Sequence, residues 1–262
     1  MTATLPVIFV GHGSPLTAFE DNQFTRGWSQ LTKAIQPNAV LCISAHWCTQ
    51  GTGVTAMKSP RTIHDFHGFP EALYQFRYPA PGSPELGQRV KELLPTSDVV
   101  MDQQWGLDHG CWAVMKHLFP NAEVPVVQLS IDMTREPQWH YDIGKALQPL
   151  RDQGVLIIGS GNVVHNLRQI DFQNESAVFP WAKTFNDHVH ECIQLRNHQP
   201  LIDYTQGDST LRHCALLSVP TPDHYYPLLY VLGASDANDA IEIVLDKVVL
   251  GSISMLSVKL GV

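Results

Sequence analysis

The sequence predicts an α/β fold: a single domain over residues 1–262 with a central, largely parallel or mixed sheet flanked by helices on both faces. Apolar runs typical of buried strands alternate along the chain with stretches whose apolar residues recur every three or four positions, as in helices. Strands that alternate with helices favour a sheet covered on both faces. No Gly/Ser-rich linker and no internal repeat divides the 262 residues, which are enough to bury one large core.

Buried strands are predicted where a short, continuous apolar run occurs. Four such runs cover residues 5–10, 39–45, 124–130 and 155–159. Two weaker candidates cover residues 98–101 and 253–258. Runs this apolar are typical of a sheet that is buried on both faces.

Helices are predicted where the apolar spacing follows the helical period. They cover residues 21–35, 83–94, 109–119, 138–150, 181–196 and 222–232. The second begins with Ser83, Pro84 and Glu85, an N-cap followed by a proline in the first turn. Residues 58–84 contain five prolines and several aromatic residues, and we interpret them as a long loop of the kind that often carries function.

Composition and charge exclude several classes of protein. The chain has 17 Lys and Arg against 25 Asp and Glu, a net charge of −8, which argues against binding nucleic acid through a basic face. No apolar run is long enough to cross a membrane, and residues 1–6 lack the features of a signal peptide. Five scattered cysteines without a CxxC motif argue against a disulfide scaffold. These features predict a cytoplasmic protein without a membrane or nucleic-acid partner.

The 13 histidines are the unusual feature of the composition. His12, His46 and His165 each follow a predicted strand, and His224 lies in the predicted first turn of the helix at residues 222–232. In open α/β sheets ligands bind outside the carboxyl ends of the strands, so the first three are expected to converge. A lone histidine in such a place is more often a loop residue, but four of them predict a metal site, since neutral imidazole is a common metal ligand.

Other motifs carry less information. His109 begins a predicted helix, where a backbone-satisfied residue and a substrate-facing residue are both open. His117 and His140 are predicted to lie at the surface or at helix ends. There is no P-loop, no GxGxxG motif and no GxSxG nucleophile elbow, so nucleotide binding and serine hydrolysis have no motif behind them.

Five segments of the chain form an ordered set. They are Gly11-His12-Gly13-Ser14-Pro15, Ser44-Ala45-His46-Trp47, Trp105-Gly106-Leu107-Asp108-His109-Gly110, Gly161-Asn162-Val163-Val164-His165-Asn166-Leu167-Arg168 and Pro222-Asp223-His224-Tyr225. With these segments the chain resembles the class III extradiol ring-cleavage dioxygenases, the LigB-like superfamily. Within that superfamily it looks most like the DOPA 4,5-dioxygenase group, and the likeness covers nearly the whole chain.

The resemblance implies one mononuclear divalent metal in a single α/β domain. It implies His12, His46 and His224 as metal ligands, His165 as an acid/base group or a further ligand, and His109 as a second catalytic group in the substrate pocket. Many extradiol enzymes use two histidines and one carboxylate, whereas the third position here is His224. Fe(II) is the ion expected for ring cleavage, and Zn(II) suits these neutral ligands about as well.

The function implied by the resemblance is extradiol opening of a catechol ring by O2 to give a muconic semialdehyde. DOPA, caffeate and protocatechuate are all open as substrates. Two other functions fit the histidine pattern itself. One is a zinc-dependent hydrolase in which the ion activates water. The other is a non-catalytic binding protein on the same fold.

Overall fold

The structure is a computed structural model that describes residues 4–262, so the first three residues of the N-terminal segment considered above lie outside it. Within the described residues, the strands are β1 (Val7–Gly11), β2 (Ala39–Thr49), β3 (Gly53–Thr55), β4 (Val100–Asp102), β5 (Val126–Asp132), β6 (Val155–Gly161), β7 (Ile241–Leu245), β8 (Val248–Val249), β9 (Ile253–Ser254) and β10 (Ser257–Leu260). Eight of them form one sheet in the order β4-β3-β5-β2-β6-β1-β10-β7, and β8 pairs with β9.

The sheet is mixed, with a parallel centre. Strands β5, β2, β6 and β1 run parallel to one another, whereas β10 and β7 add antiparallel strands at one edge. At the other edge β3 is antiparallel to β5 and parallel to β4. The predicted α/β class with a parallel or mixed sheet is therefore confirmed. Because the four central strands are parallel, their carboxyl ends meet at one edge of the sheet.

Helices cover both faces of this sheet. They are α1 (Gln23–Leu31), α2 (Glu71–Gln75), α3 (Pro84–Leu93), α4 (His109–Leu118), α5 (Pro137–Leu147), α6 (Pro180–Gln194), α7 (Gln199–Ile202), α8 (Ser209–Ser218) and α9 (Tyr226–Ala234). Alternate residues of β1 enter two different cores, Val7 and Phe9 on one face and Ile8 and Val10 on the other. The first core contains residues of α5, α6 and α9, and the second contains residues of α1 and α4.

The predicted elements are present, with shifted ends. The predicted helix at residues 222–232 begins only at Tyr226, because residues 223–225 form a turn in which the Pro222 carbonyl accepts hydrogen bonds from the amides of Tyr225 and Tyr226. His224 therefore lies in the turn before α9 and not in its first turn. The predicted loop at residues 58–84 contains the short helix α2, and the weak strand at residues 253–258 is divided between β9 and β10.

Strand β2 runs to Thr49, four residues beyond the predicted end at residue 45, and carries His46 within it. Its pairing with β6 ends at Ser44, and its register with β5 shifts between Ile43 and Cys48. Such irregularities often lie next to active sites, where they re-aim a side chain. No helix among residues 4–262 is long and apolar enough to span a bilayer.

Candidate metal centre and active site

All five candidate histidines lie together at the carboxyl edge of the parallel strands. His12 follows β1, His165 follows β6, His46 is inside the extended end of β2, His109 is the first residue of α4, and His224 precedes α9. Ring centroids are 5.1 Å apart for His12 and His46, 5.2 Å for His12 and His224, and 5.0 Å for His46 and His224. His109 lies 3.8 Å from His46, and His165 lies 3.5 Å from His224.

Three of these rings form a group that could hold a metal ion. One nitrogen each from His12, His46 and His224 lies within 4.8 Å of the others. The Nε2 atoms of His12 and His46 are 3.1 Å apart, less than twice a metal–imidazole bond of about 2.1 Å, so one ion can reach both. His165 lies outside the group, and its ring stacks on that of His224 with an interplanar angle of 6°.

The hydrogen bonds around His12 leave the lone pair of Nε2 available to a metal ion. Its Nδ1 lies 2.9 Å from Oγ of Ser160, and that hydroxyl donates its own proton to the carbonyl oxygen of Gly110 at 2.6 Å. Since the hydroxyl proton is already used, Ser160 accepts a hydrogen bond from Nδ1–H of His12. The lone pair of His12 is therefore on Nε2, which faces His46.

A carboxylate lies beside Nδ1 of each of the other two rings. Nδ1–H of His224 donates to Oδ2 of Asp223, and Nδ1 of His46 lies 3.3 Å from Oδ2 of Asp65. A partner of this kind on the second nitrogen fixes the tautomer of a metal-ligating histidine. All three rings thus keep Nε2 for an ion, and the donor set fits a divalent metal.

The surroundings of His12 and His46 favour the neutral imidazole, the form that a metal ligand must have. Burial, followed by the charge of His224 and its neighbours, lowers the pKa of His12 well below its usual value. Burial, followed by the charge of His109, does the same to the pKa of His46. Burial raises the pKa of the Asp223 carboxyl, but the hydrogen bond and charge of His224 outweigh it, so that pKa is lowered.

One asparagine fixes the backbone of two of these histidines. The amide N–H of Asn162 donates to the carbonyl oxygen of His224 at 2.8 Å, and its side-chain Nδ2 donates to the carbonyl oxygen of His12 at 2.6 Å. Asn162 is buried at the end of β6. It therefore joins the turn before α9 to the end of β1, which are far apart in the sequence.

A buried carboxylate places the start of α4. Asp108 is the N-cap of this helix and accepts from the backbone amide of Cys111 at 3.0 Å. It also accepts from Oγ of Ser44 on β2 at 2.6 Å and from Nε2 of Gln128 on β5 at 2.7 Å. Burial, and then the charge of Asp65, raises the pKa of Asp108. These bonds fix the first residue of α4, His109, beside the two strands.

Close packing at the start of α4 requires a glycine. A Cβ atom on Gly110 would lie 2.5 Å from Oγ of Ser44, 2.8 Å from Cδ2 of His46 and 3.4 Å from Cε1 of His12. Any side chain at this position would displace His46, one of the three candidate ligands, together with the hydroxyl of Ser44. The glycine of the Asp108-His109-Gly110 segment is thus explained by close approach to the histidine rings.

An aromatic wall flanks the histidines on one side. Phe66 lies 5.7 Å from the ring of His109 and 6.1 Å from that of Trp112, and His109 and Trp112 are 6.4 Å apart. Phe66 comes from residues 58–84, called the proline-rich segment below, and Trp112 comes from α4. A planar aromatic ligand is suited to such surroundings, because aromatic rings pack well edge to face or offset.

A family model described as the catalytic LigB subunit of aromatic ring-opening dioxygenase matches residues 6–260. The chain belongs to the LigB family. The chain is 47% identical to a 4,5-DOPA dioxygenase extradiol of Escherichia coli (strain K12), over 98% of this chain and 95% of that protein. It is 37% identical to a protein of the same name from Beta vulgaris, over 90% of this chain and 89% of the relative.

The fold agrees with this membership. A crystal structure of an uncharacterized protein from Escherichia coli K12 matches with a TM-score of 0.84 and 44% identity, over 98% of this chain and 100% of that chain. This LigB-family protein is an extradiol ring-opening dioxygenase. The resemblance that the five segments predicted is confirmed, and the zinc hydrolase and the binding protein are not the functions that the relatives support.

Sequence reasoning missed the partners of the histidines in this LigB-family site. The segment Ile63-His64-Asp65-Phe66 also resembles the DOPA 4,5-dioxygenase group, and Asp223 and Asn162 lie in the quoted segments, but the sequence patterns assign no role to these residues or to Ser160. A carboxylate next to a candidate ligand, as at Asp223 and His224, is a local signal that would have found one of them. Ser160 is 148 residues from His12 and Asp65 is 44 residues from His109, so the spacing along the chain does not indicate these contacts.

Proposed function

We propose that this protein opens the ring of a catechol, DOPA or a related diol, at the extradiol position with O2 and forms a muconic semialdehyde. We further propose that residues 1–262 are one catalytic domain that works with a single Fe(II) ion. His12, His46 and His224 are the proposed ligands. His165 and His109 are the proposed acid/base groups.

The observation that carries this proposal is the group of three ring nitrogens, one each from His12, His46 and His224, at the carboxyl edge of the parallel strands. Each of the three rings has a partner on Nδ1 that leaves Nε2 available. A bound divalent ion would hold both oxygens of the diol, stabilise their negative charge and bring O2 next to the ring.

Two further imidazoles flank this group and are not used by it. His165 stacks on His224, and its ring nitrogens have no hydrogen-bond partner among the described residues, so it is free to accept a proton from a diol hydroxyl. Nδ1 of His109 is held by Asp65 at 2.8 Å, which leaves its Nε2 for proton exchange. The stacked position of His165 favours the acid/base role over that of a fourth ligand.

The ion and the compartment follow from the donor set and the cysteines. Fe(II) is proposed because ring cleavage needs an ion that exchanges electrons with O2, whereas three neutral imidazoles also suit Zn(II). All five cysteines are unpaired, which supports a reducing, cytoplasmic setting for the proposed reaction.

The test is oxygen uptake by protein loaded anaerobically with Fe(II), given DOPA, caffeate, protocatechuate and unsubstituted catechol, with zinc-loaded protein as the control. The proposal expects uptake with at least one diol, together with a product that absorbs visible light, and none with zinc. Absence of uptake with every diol, in protein whose iron content has been measured, would overturn it.

A further inference from the structure

One carboxylate contacts two of the five histidines. Asp65 lies in the segment between β3 and α2, and its side chain is 15% exposed. Its Oδ2 accepts a hydrogen bond from Nδ1 of His109 at 2.8 Å and lies 3.3 Å from Nδ1 of His46. Its Oδ1 accepts from the backbone amide of His109 at 2.9 Å.

These contacts determine where two rings carry their protons. An ionised carboxylate only accepts hydrogen bonds, so a ring nitrogen beside it is favoured in its N–H form. Asp65 takes this accepting position towards His109, which it contacts through both of its oxygens. His109 is therefore held as the Nδ1–H tautomer with the lone pair on Nε2, and the same carboxylate oxygen, 3.3 Å from Nδ1 of His46, favours that tautomer in His46.

We propose that Asp65 is a positioning residue that sets the tautomers of a metal ligand and of an acid/base group together. The inference rests on the proposed function, because it assigns His46 to the ion and His109 to proton exchange. If Asp65 has this role, the position of the proline-rich segment determines whether His46 and His109 present the lone pair of Nε2. A segment displaced from the site would release both rings at once.

A purely structural role predicts a different dependence on the side chain. If Asp65 only anchors the segment, its bond to the backbone amide of His109 is the contact that matters, and an amide oxygen can make it equally well. If it sets the tautomers, both oxygens must be acceptors at the same time. Asparagine cannot meet that demand, because its NH2 group must face either the backbone amide or the two Nδ1 atoms.

The Asp65→Asn variant therefore separates the two roles. With the amide oxygen on the backbone N–H, the NH2 group faces the rings and favours proton-free Nδ1 atoms. For His46 this moves the proton to Nε2, the atom needed by the ion. Asp65→Glu keeps two acceptor oxygens and is expected to retain the wild-type tautomers.

The experiment is long-range ¹H–¹⁵N NMR of the histidine rings in zinc-loaded wild type, Asp65→Asn and Asp65→Glu. Zinc affinity and, with Fe(II), kcat and KM for a diol are measured in parallel. Asp208→Asn is the matched control, since Asp208 accepts two backbone amides at the N-cap of α8, where asparagine serves equally well.

The expected result is that Asp65→Asn loses the protonated Nδ1 signal of His109. Zinc affinity and kcat are expected to fall by about 10- to 100-fold, with little change in KM. Asp65→Glu should recover the signal and much of the activity, and Asp208→Asn should match wild type. A folded Asp65→Asn protein with wild-type tautomers and zinc affinity would overturn the inference.

Failure of the proposed function is a separate outcome. If wild-type protein turns over no diol, the function fails, but the NMR spectra and zinc affinities of the variants still test Asp65. If wild type is active and Asp65→Asn is equally active with unchanged tautomers, the inference fails and the function stands.

Discussion

Histidine is buried in two regions of this molecule with different consequences. At the strand ends, His12 is 3% exposed and lies among four other imidazoles. On the face covered by α5 and α9, His140 is fully buried, stacks on Tyr226 at 4.0 Å, and has its Nδ1 2.9 Å from the hydroxyl of Tyr230. This burial contradicts the surface or helix-end position predicted for His140 from its place on a helix.

Convergence of donor atoms, and not burial, distinguishes the candidate metal centre from the surroundings of His140. Burial lowers the pKa in both regions, for His140 to about 4. The aromatic neighbours of His140 are Tyr226, Tyr230 and Trp139, and among residues 4–262 His140 belongs to no group of donor atoms that could hold an ion. Around His12 the neighbouring rings point nitrogen atoms at one another.

The largest effect is expected from removal of a proposed ligand. His224→Ala should lower both metal affinity and ring-opening activity by more than about 100-fold, because a ligand matters at least as much as its outer partners. Metal content after dialysis and oxygen uptake measure this, with the exposed His213→Ala as the control. A His224→Ala protein that keeps a full equivalent of metal would remove the distinction between the two regions.

A loss confined to turnover, without loss of the metal, is expected for His165→Ala. As an acid/base group outside the three-donor set, its removal should lower kcat by about 10²- to 10⁴-fold while the metal content stays near that of wild type. Metal analysis alongside single-turnover kinetics checks this. Loss of the ion together with activity would instead make His165 a ligand and enlarge the cluster.

Asp223→Asn is expected to have an intermediate effect. The amide can donate to Nδ1 of His224 and so favours the tautomer with the proton on Nε2, which weakens metal binding by about 10- to 100-fold. Competition with a chelator measures the affinity. The exposed Asp142→Asn serves as control, and an unchanged affinity in Asp223→Asn would show that the carboxylate does not orient the ring.

The smallest effect concerns His140 and the pH dependence of stability. Its folded-state pKa of about 4 lies below the unfolded value of about 6.5, so its stabilising contribution is complete above pH 6.5 and is lost as the pH falls towards 4. Between pH 7 and pH 5.5 the loss is about 1 kcal/mol.

Urea unfolding of wild type and His140→Phe, both metal-free, isolates this contribution. Wild type should lose about 1 kcal/mol more of its free energy of unfolding than His140→Phe between the two pH values. An identical loss in both proteins would mean that His140 takes up no proton on unfolding in this range, contrary to its neutral, buried state.

The local sequence pattern predicted the centres of the main strands but not their full extent. The centres of β1, β2, β5 and β6 were predictable, because each is a continuous apolar run that the parallel sheet buries on both sides. The continuation of β2 through His46 was not, because it depends on pairing with β5 after a shift of register. Helices α7 and α8 were missed, although Asp208 caps α8 with a recognisable signal.

The fold class, the family and the candidate histidines can be predicted from the chain alone, since apolar period and short motifs are local properties. Which ring nitrogen of each histidine is available to an ion can be read only from the folded molecule. The available nitrogen depends on Ser160 and Asp65, which come from distant parts of the chain. Ser160 reaches His12 because β6 pairs with β1, and Asp65 reaches His109 through the folding of the segment between β3 and α2. The hydrogen-bond partner of one ring nitrogen determines whether the other is free to bind an ion, and that partner is fixed by the three-dimensional arrangement of the chain.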